Sequence, residues 1–331
     1  MTKEQHTVLL TDRAWPDDTV ERATIESAGF KFVSGPPDPA PAGVIEALVA
    51  EHQPSAILTC WARVSATAIA SSPALRIVAR LGVGLDNIAV PAATALGVLV
   101  TNVPDYCVEE VSDHAVGLVL AWTRGLVVAD REVRAGRWNP ASARLRRLSA
   151  LTCGVVGFGR IGSATAMKLR ALGAHVVTST PLPPSDTGGV PVVEMGQLLA
   201  CSDVVILHAP LTSETHHLIG ARELALMPPG ALLVNVSRGG LVDTDAVMAS
   251  LRAGHLGGAG LDVLEEEPAV PAELLEHPSV VVTPHIAFSS DASVVDLRRG
   301  AAEEVVRVLR GETPRYPCNH PAQKTKNGVS I

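Results

Sequence analysis

Residues 151–178 limit the possible folds of this chain more than any other stretch. Leu151-Thr-Cys-Gly-Val-Val156 is short, apolar and rich in β-branched residues, so it reads as a strand. Gly157, Gly159 and Gly162 follow as GxGxxG. Ile161, Ala164, Leu169 and Leu172 then recur at helical spacing until Gly173 stops them, and Ala174–Thr178 reads as the next strand. Strand, glycine turn, helix and strand in that order form the unit of a parallel sheet that binds a dinucleotide. Gly157 permits the tight turn, Gly159 lets backbone approach a pyrophosphate, and Gly162 lets helix and strand pack closely. The N–H groups at the helix start, around Arg160 and Ile161, then face the phosphates.

One part of that pattern is missing. An Asp or Glu is expected about 20 residues on, at the end of the second strand, to bind the adenosine ribose hydroxyls. The chain has Thr178-Ser-Thr-Pro-Leu-Pro-Pro184 there, with Thr180 where the acid belongs and no nearby Arg for a 2′-phosphate. NAD is the expected cofactor, with NADP as the alternative.

The rest of the chain repeats the alternation of strand and helix. Strands are expected at Thr7–Thr11, Ala56–Thr59, Leu75–Ala79 and Val98–Thr101, and later at Ala231–Val234, Gly258–Leu261 and Val280–Val282. Between the first of them lie helical stretches at Asp18–Ser27 and Val44–Glu51, with a Pro-rich loop at Ser34–Ala42. Two long amphipathic helices, about Cys107–Arg124 and Asp291–Arg310, flank the glycine block, and a basic, polar stretch covers Arg131–Arg147. The fold class is therefore α/β, with two doubly wound parallel-sheet domains. A Rossmann cofactor domain is expected over 106–286. A smaller flavodoxin-like substrate domain is expected over 1–105 and 287–331, with a cleft between the two. The polar tail after Asn319 is expected to be disordered.

Composition removes several classes of function. With 331 residues and a formal charge of −7, the chain has no basic block, so nucleic acid is not an expected partner. No apolar run reaches the ~18 residues of a membrane span, and the start lacks the apolar core of a signal peptide. A cytoplasmic location is expected. Cys60, Cys107, Cys153, Cys201 and Cys318 are scattered without CxxC spacing, which argues against a disulfide framework and a zinc site. His216 and His217 are adjacent, but no third ligand stands at metal spacing, so no metal is expected.

Three segments follow apolar strands of the second block: NVSRGGLVD at 235–243, LDVLEEEP at 261–268 and TPHIA at 283–287. Loops beyond the carboxyl ends of strands build the site in open α/β sheets, which puts an Arg, carboxylates and a His near one end of a bound dinucleotide. With GFGRIG at 157–162, these motifs resemble the D-isomer-specific 2-hydroxyacid dehydrogenase family, over about residues 55–315. RLGVGLDNI at 80–88, NVPDYCVEEVSDHA at 102–115 and RRGAAEEVVRVLRGETP at 298–314 are most similar to its C-terminal-binding-protein-like branch, related to phosphoglycerate dehydrogenase.

The resemblance implies catalytic roles for Arg238, Glu267 and His285. Arg238 holds the carboxylate and carbonyl of a 2-oxo acid. His285 exchanges a proton with the carbonyl oxygen. Glu267 fixes the tautomer of the imidazole and raises its pKa. Besides Gly157, Gly159, Arg160, Ile161, Gly162 and Thr180, the cofactor is expected to meet His208, Ala209, Pro210, Thr215, Val236, Ser237, Arg238, Asp262 and His285. Asp262 is assigned to the nicotinamide carboxamide, and His208-Ala-Pro-Leu-Thr-Ser-Glu-Thr215 to the adenosine and phosphates. Arg80, Val83 and Gly84 are expected at the substrate together with Arg238, His285 and Phe288. Phe288 stands where the nearest branch carries Trp, so that branch's substrate is not transferred.

The implied function is hydride transfer between NAD(P) and a small D-2-hydroxy acid, in a homodimer, with a small-molecule 2-oxo or 2-hydroxy acid as partner. The alternatives are an NAD(H)-sensing corepressor-like binding protein, or oxidation of an unusual small anion such as phosphite, formate or a phosphonate.

Overall fold

The computed structural model describes residues 6–142 and 145–321 and divides the chain into two compact units, Met1–Tyr106 with Ser290–Ile331, and Cys107–Ser289. The first unit begins β1 (Thr7–Leu10), α1 (Thr19–Ser27), β2 (Lys31–Ser34), α2 (Ala42–His52) and β3 (Ala56–Thr59). It continues α3 (Ala66–Ala70), β4 (Ile77–Arg80), α4 (Val90–Ala95) and β5 (Leu99–Thr101). Its five strands are parallel in the order β2-β1-β3-β4-β5, the flavodoxin-like order. Every residue of β3 and β4 is buried, as expected of central strands covered on both faces.

The second unit opens with α5 (Val108–Thr123) and α6 (Leu126–Arg134), then β6 (Thr152–Val156), α7 (Arg160–Ala171), β7 (His175–Ser179) and α8 (Met195–Cys201). It goes on through β8 (Val204–Leu207), α9 (Ala221–Leu226), β9 (Ala231–Asn235), α10 (Thr244–Arg252), β10 (Leu256–Leu261), α11 (Ala272–Glu276) and β11 (Val280–Val282). The parallel sheet runs β11-β10-β9-β8-β6-β7. A parallel bridge between Thr178 and Val192 extends it by one rudimentary strand beyond β7. Counted with that bridge, the order is 3-2-1-4-5-6-7, the 3-2-1-4-5-6 of dinucleotide-binding sheets with one strand added at the far edge, and the switch point lies between β6 and β8. The turn that leaves β6 at that point carries Gly157, Gly159 and Gly162.

The chain then returns to the first unit as α12 (Asp291–Leu309). Ser290 caps it by accepting the N–H of Ser293. Leu297, Ala301, Val305 and Val308 line its buried stripe against β3 and β4. A charge is buried with this helix. Arg298 donates to both oxygens of Glu21 on α1, at 3.0 and 2.8 Å, and to the Asp17 carboxylate at 2.8 Å, under the ring of Trp15.

The expected strands are present, with ends shifted by one or two residues. Two strands escaped the sequence reading: β2, a four-residue edge strand next to the Pro-rich loop, and β8. The stretch expected as basic and polar from Arg131 begins inside α6, a helix with no buried residue. Residues 143–144 of that stretch, and the expected tail from residue 322, lie outside the described residues. No single described helix is long and apolar enough to cross a membrane; α5 and α6 pass by length and composition only as a pair bent by 59°.

Arg298 and Glu21 are 6% and 0% exposed, so removing one partner strands a charge in the core. Arg298→Ala is expected to lower stability by about 3–5 kcal/mol in equilibrium urea unfolding, and Arg298→Met with Glu21→Met to recover much of that loss. Equal midpoints for wild type and Arg298→Ala would show that the pair stabilises nothing.

Candidate active site

The glycine turn is built for close approach. Gly157 has φ +93°, and a Cβ there would lie 2.7 Å from the carbonyl oxygen of His208. A Cβ on Gly162 would lie 2.1 Å from the Gly157 carbonyl oxygen. Both are therefore required by the chain's own packing. Gly159 is different: a Cβ there would meet no protein atom within 4 Å. Nothing in the chain demands glycine at that point, whereas a pyrophosphate against the backbone does. Gly159 also makes no side-chain cap to α7, whose first N–H groups stand at Arg160, Ile161 and Gly162.

A second observation fits a dinucleotide. His208, which follows β8, is half-buried, and its Nε2 is buried with no hydrogen-bond partner among the described residues. Burial pushes this imidazole down to about 4, so it is neutral near pH 7. A buried neutral donor or acceptor next to the glycine turn, with no partner in the protein, suits a polar ligand atom.

Neighbouring residues of this side are occupied internally. The Thr215 hydroxyl donates to the Pro210 carbonyl at 2.7 Å and accepts the Thr212 N–H at 2.8 Å, which closes the turn 210–215. The Ser237 hydroxyl donates to the Leu207 carbonyl, tying β8 to the residues after β9. Thr180 follows β7, where the sequence reading placed it.

The loops after β9, β10 and β11 bring the expected trio together. His285 Nδ1 lies 2.8 Å from Glu267 Oε2, and Glu267 Oε1 accepts the Leu264 N–H at 3.0 Å. Burial pushes the Glu267 carboxyl up. The His285 hydrogen bond and charge, the Leu264 N–H and the Arg238 guanidinium outweigh that and hold it below its ordinary value. An ionised Glu267 accepts a proton at His285 Nδ1, which leaves Nε2 for chemistry. Arg238 sits on the turn after β9, where Asn235 Nδ2 donates to its carbonyl and its own Nη1 donates to the Ser237 carbonyl. The Phe288 ring meets the His285 ring edge-on, with centroids 6.3 Å apart.

Asp262 is 2% exposed. Oδ1 accepts the Thr283 hydroxyl at 2.6 Å and the Ile286 N–H at 3.0 Å, and Oδ2 accepts the Ala287 N–H at 2.9 Å. The His285 N–H donates to the Asp262 carbonyl. The side chain thus clamps the loop on which His285 stands. His114 on α5 reaches the same network, with Nε2 3.0 Å from the Thr283 hydroxyl. Thr283 and His114 were not candidates from sequence. Thr283 lies 21 positions from Asp262 and His114 lies 169 from Thr283, so the link follows no local pattern.

In the first unit, Arg80 is not a solvated strand end but 4% exposed beneath the turn that follows β4. Its guanidinium donates to the carbonyls of Gly84 at 3.1 Å and of Leu81, and lies 5.5 Å from the ring centroid of Trp61. Gly82, at φ +153°, accommodates it, because a Cβ there would lie 2.8 Å from Arg80 Nη1. The carbonyls of Gly82 and Val83 are taken by the Val103 N–H and by Asn102 Nδ2. The N–H groups of Val83 and Gly84 have no acceptor among the described residues.

A dinucleotide-type sheet, a turn with an unexplained glycine, and a His–Glu pair with an Arg beside it point to a nicotinamide-dependent oxidoreductase. The chain belongs to the D-isomer specific 2-hydroxyacid dehydrogenase family, and residues 116–287 match the family's NAD binding domain. It is 42% identical over 252 residues to a D-3-phosphoglycerate dehydrogenase of Mycobacterium leprae, covering 75% of this chain and 48% of that protein. It therefore spans about half the length of that relative. It is 39% identical over 254 residues to a glyoxylate reductase of Thermococcus litoralis, covering 74% of this chain and 77% of the other. Among solved structures it resembles an NADPH-dependent glyoxylate/hydroxypyruvate reductase of Sinorhizobium meliloti in complex with NADP and malonate. That match has a TM-score of 0.85 at 31% identity and covers 95% of this chain and 97% of the other.

Because the folded state holds the Glu267 carboxyl below its ordinary value, it binds fewer protons than the unfolded chain between that depressed value and ~4.3. The stability owed to this group is present above ~4.3 and is lost as pH falls through the folded value. Glu267→Gln is expected to remove that increment. The stability gap between wild type and variant in urea unfolding should thus be largest above pH ~4.3 and shrink as pH falls below it. A gap independent of pH would contradict the ionised assignment.

Proposed function

We propose that this chain is an NAD(P)-dependent oxidoreductase that interconverts a small D-2-hydroxy acid and its 2-oxo acid. The observation that carries the reading is the His285–Glu267 hydrogen bond, with Arg238 close enough to help keep Glu267 ionised. A pure binding protein has no need of a proton donor whose tautomer is fixed by a carboxylate.

When bound, the nicotinamide supplies or accepts the hydride. The chain's residues do the rest. Arg238 holds the planar carboxylate and draws charge at the carbonyl oxygen. His285 Nε2 gives that oxygen a proton during reduction and takes it back during oxidation. Glu267 stabilises the imidazolium formed in the second direction. Phe288, edge-on to the imidazole, sets an apolar limit on the substrate's side group. The relatives named glyoxylate reductase support a small side group. NAD and NADP are both admitted, because Thr180 offers neither a carboxylate to exclude a 2′-phosphate nor a cation to require one.

Two further features belong to the proposal. Cys60, Cys107 and Cys153 are buried thiols, and no disulfide joins described residues, which suits a reducing, cytoplasmic setting. α6 exposes Leu126 and Val133, and Trp138 and Leu145 are exposed beyond it, Trp138 at 82%. Val133, Trp138 and Leu145 border an apolar cavity of about 840 Å³ beside α5 and β10. A monomer seldom presents such a surface, which supports a homodimer through the cofactor unit.

The test is oxidation of NADH and of NADPH in the presence of glyoxylate, hydroxypyruvate, pyruvate and 3-phosphohydroxypyruvate. Turnover of at least one is expected. His285→Ala and Arg238→Ala are each expected to lower kcat/KM by ~10²-fold or more. Wild-type rates in either variant would remove it from the mechanism. Light scattering should give twice the chain mass, and Trp138→Asp should shift the particle towards the monomer; a monomeric wild type would refute the dimer.

A further inference from the structure

His216 and His217 follow the turn 210–215, and Glu265 stands in the loop after β10. Their chemistry is not used by the reaction above. His217 Nε2 lies 2.5 Å from Glu265 Oε1, across 48 sequence positions. The two imidazoles stack with centroids 4.0 Å apart and planes 29° from parallel. One donor atom from each of the three residues lies within 4.8 Å of the others, and all three residues are exposed.

We infer that His216, His217 and Glu265 form a surface binding site for a borderline divalent transition metal, with Zn²⁺ the best fit. Two imidazole nitrogens and one carboxylate oxygen are a donor set that zinc takes at ~2.0–2.2 Å, with water in the remaining position. Calcium and magnesium take oxygen ligands, so this nitrogen-rich set selects against them. Tetrahedral donors at such lengths stand about 3.5 Å apart. The present arrangement closes to that spacing by χ rotation of exposed side chains, with no backbone change. The expectation that no third ligand stands near His216 and His217 is thereby corrected: Glu265 is that ligand, brought in by the fold.

The surroundings favour a site that is held rather than accidental. The His217 N–H donates to the Gly240 carbonyl and the Ile219 N–H to the Leu241 carbonyl. Glu265 Oε2 accepts the Thr244 N–H at 3.0 Å. A Cβ on Gly239 would collide with the backbone of Leu264 and Glu265, so the two loops press directly on each other. The donors are thus carried by two backbone segments pinned to the same turn, residues 239–244. A bound ion would staple residues 216–217 to the loop that also bears Glu267.

The test uses the full chain without a histidine tag, stripped with EDTA and titrated with ZnCl₂ against a chromogenic chelator. Wild type is expected to bind one ion per chain more tightly than any other. His216→Ala, His217→Ala and Glu265→Gln should each weaken that first ion by about tenfold or more. His285→Ala and Cys201→Ser, which each remove a donor elsewhere on the chain, should leave it unchanged. His216→Ala decides the matter if another variant fails to fold, because this side chain is exposed and its ring contact is the stacking on His217. No stoichiometric ion in wild type, equal affinity in His216→Ala, or loss of the ion in His285→Ala or Cys201→Ser would overturn the site. None of these outcomes depends on turnover, so the oxidoreductase reading stands or falls separately.

Discussion

The geometry around His285 rests on one buried carboxylate. Asp262 accepts the Thr283 hydroxyl and the N–H groups of Ile286 and Ala287, and its own carbonyl accepts the N–H of His285. His285 itself has φ +53°, in the left-handed region that residues with a Cβ seldom occupy. Such a conformation costs on the order of 1–3 kcal/mol and persists only where its surroundings over-determine it. The hydrogen bonds around Asp262 do so. They fix the backbone on both sides of His285, and the Glu267 carboxylate then fixes the ring. Backbone position and ring orientation of His285 are therefore set by two acids with separate tasks.

The cofactor side follows a different logic, in which the chain withholds atoms. Gly159 lacks a side chain that the protein would have room for, and His208 Nε2 lacks a partner that a buried nitrogen ordinarily has. Each omission is unfavourable or pointless in the chain alone and becomes useful beside a phosphate or sugar. Gly157 and Gly162 carry no such information, since backbone packing alone excludes a Cβ there.

How much of this was legible in the sequence depended on the distance over which each interaction acts. The glycine turn, the strands and the trio of Arg238, Glu267 and His285 lie in short segments with local signatures, so motif and period reveal them. β2 was missed because a four-residue edge strand next to a Pro-rich loop has too few residues to show a period. The position of Arg80 beneath its turn depended on carbonyls whose direction no composition encodes. Asp262 was found by motif, but its bonds to residues 283–287 exist only once β10 and β11 pair. Glu265 next to His217 is the same case: the His-His pair is visible, whereas its third donor is supplied by the sheet.

Arg80 and Asp12 extend the principle seen at Asp262 to the first unit. Asp12 is fully buried and accepts the N–H groups of Cys60, Trp61 and Ala62. Arg80 draws the Leu81 and Gly84 carbonyls towards its guanidinium. Each buried charge satisfies one polarity of a loop's backbone and takes the place of water there. What is left over then has the opposite polarity. After Arg80, with the carbonyls of residues 81–84 engaged, the remaining groups are the N–H donors of Val83 and Gly84. A turn finished in this way presents backbone donors rather than acceptors. The buried cation thus decides which face of the peptide groups the loop keeps for itself.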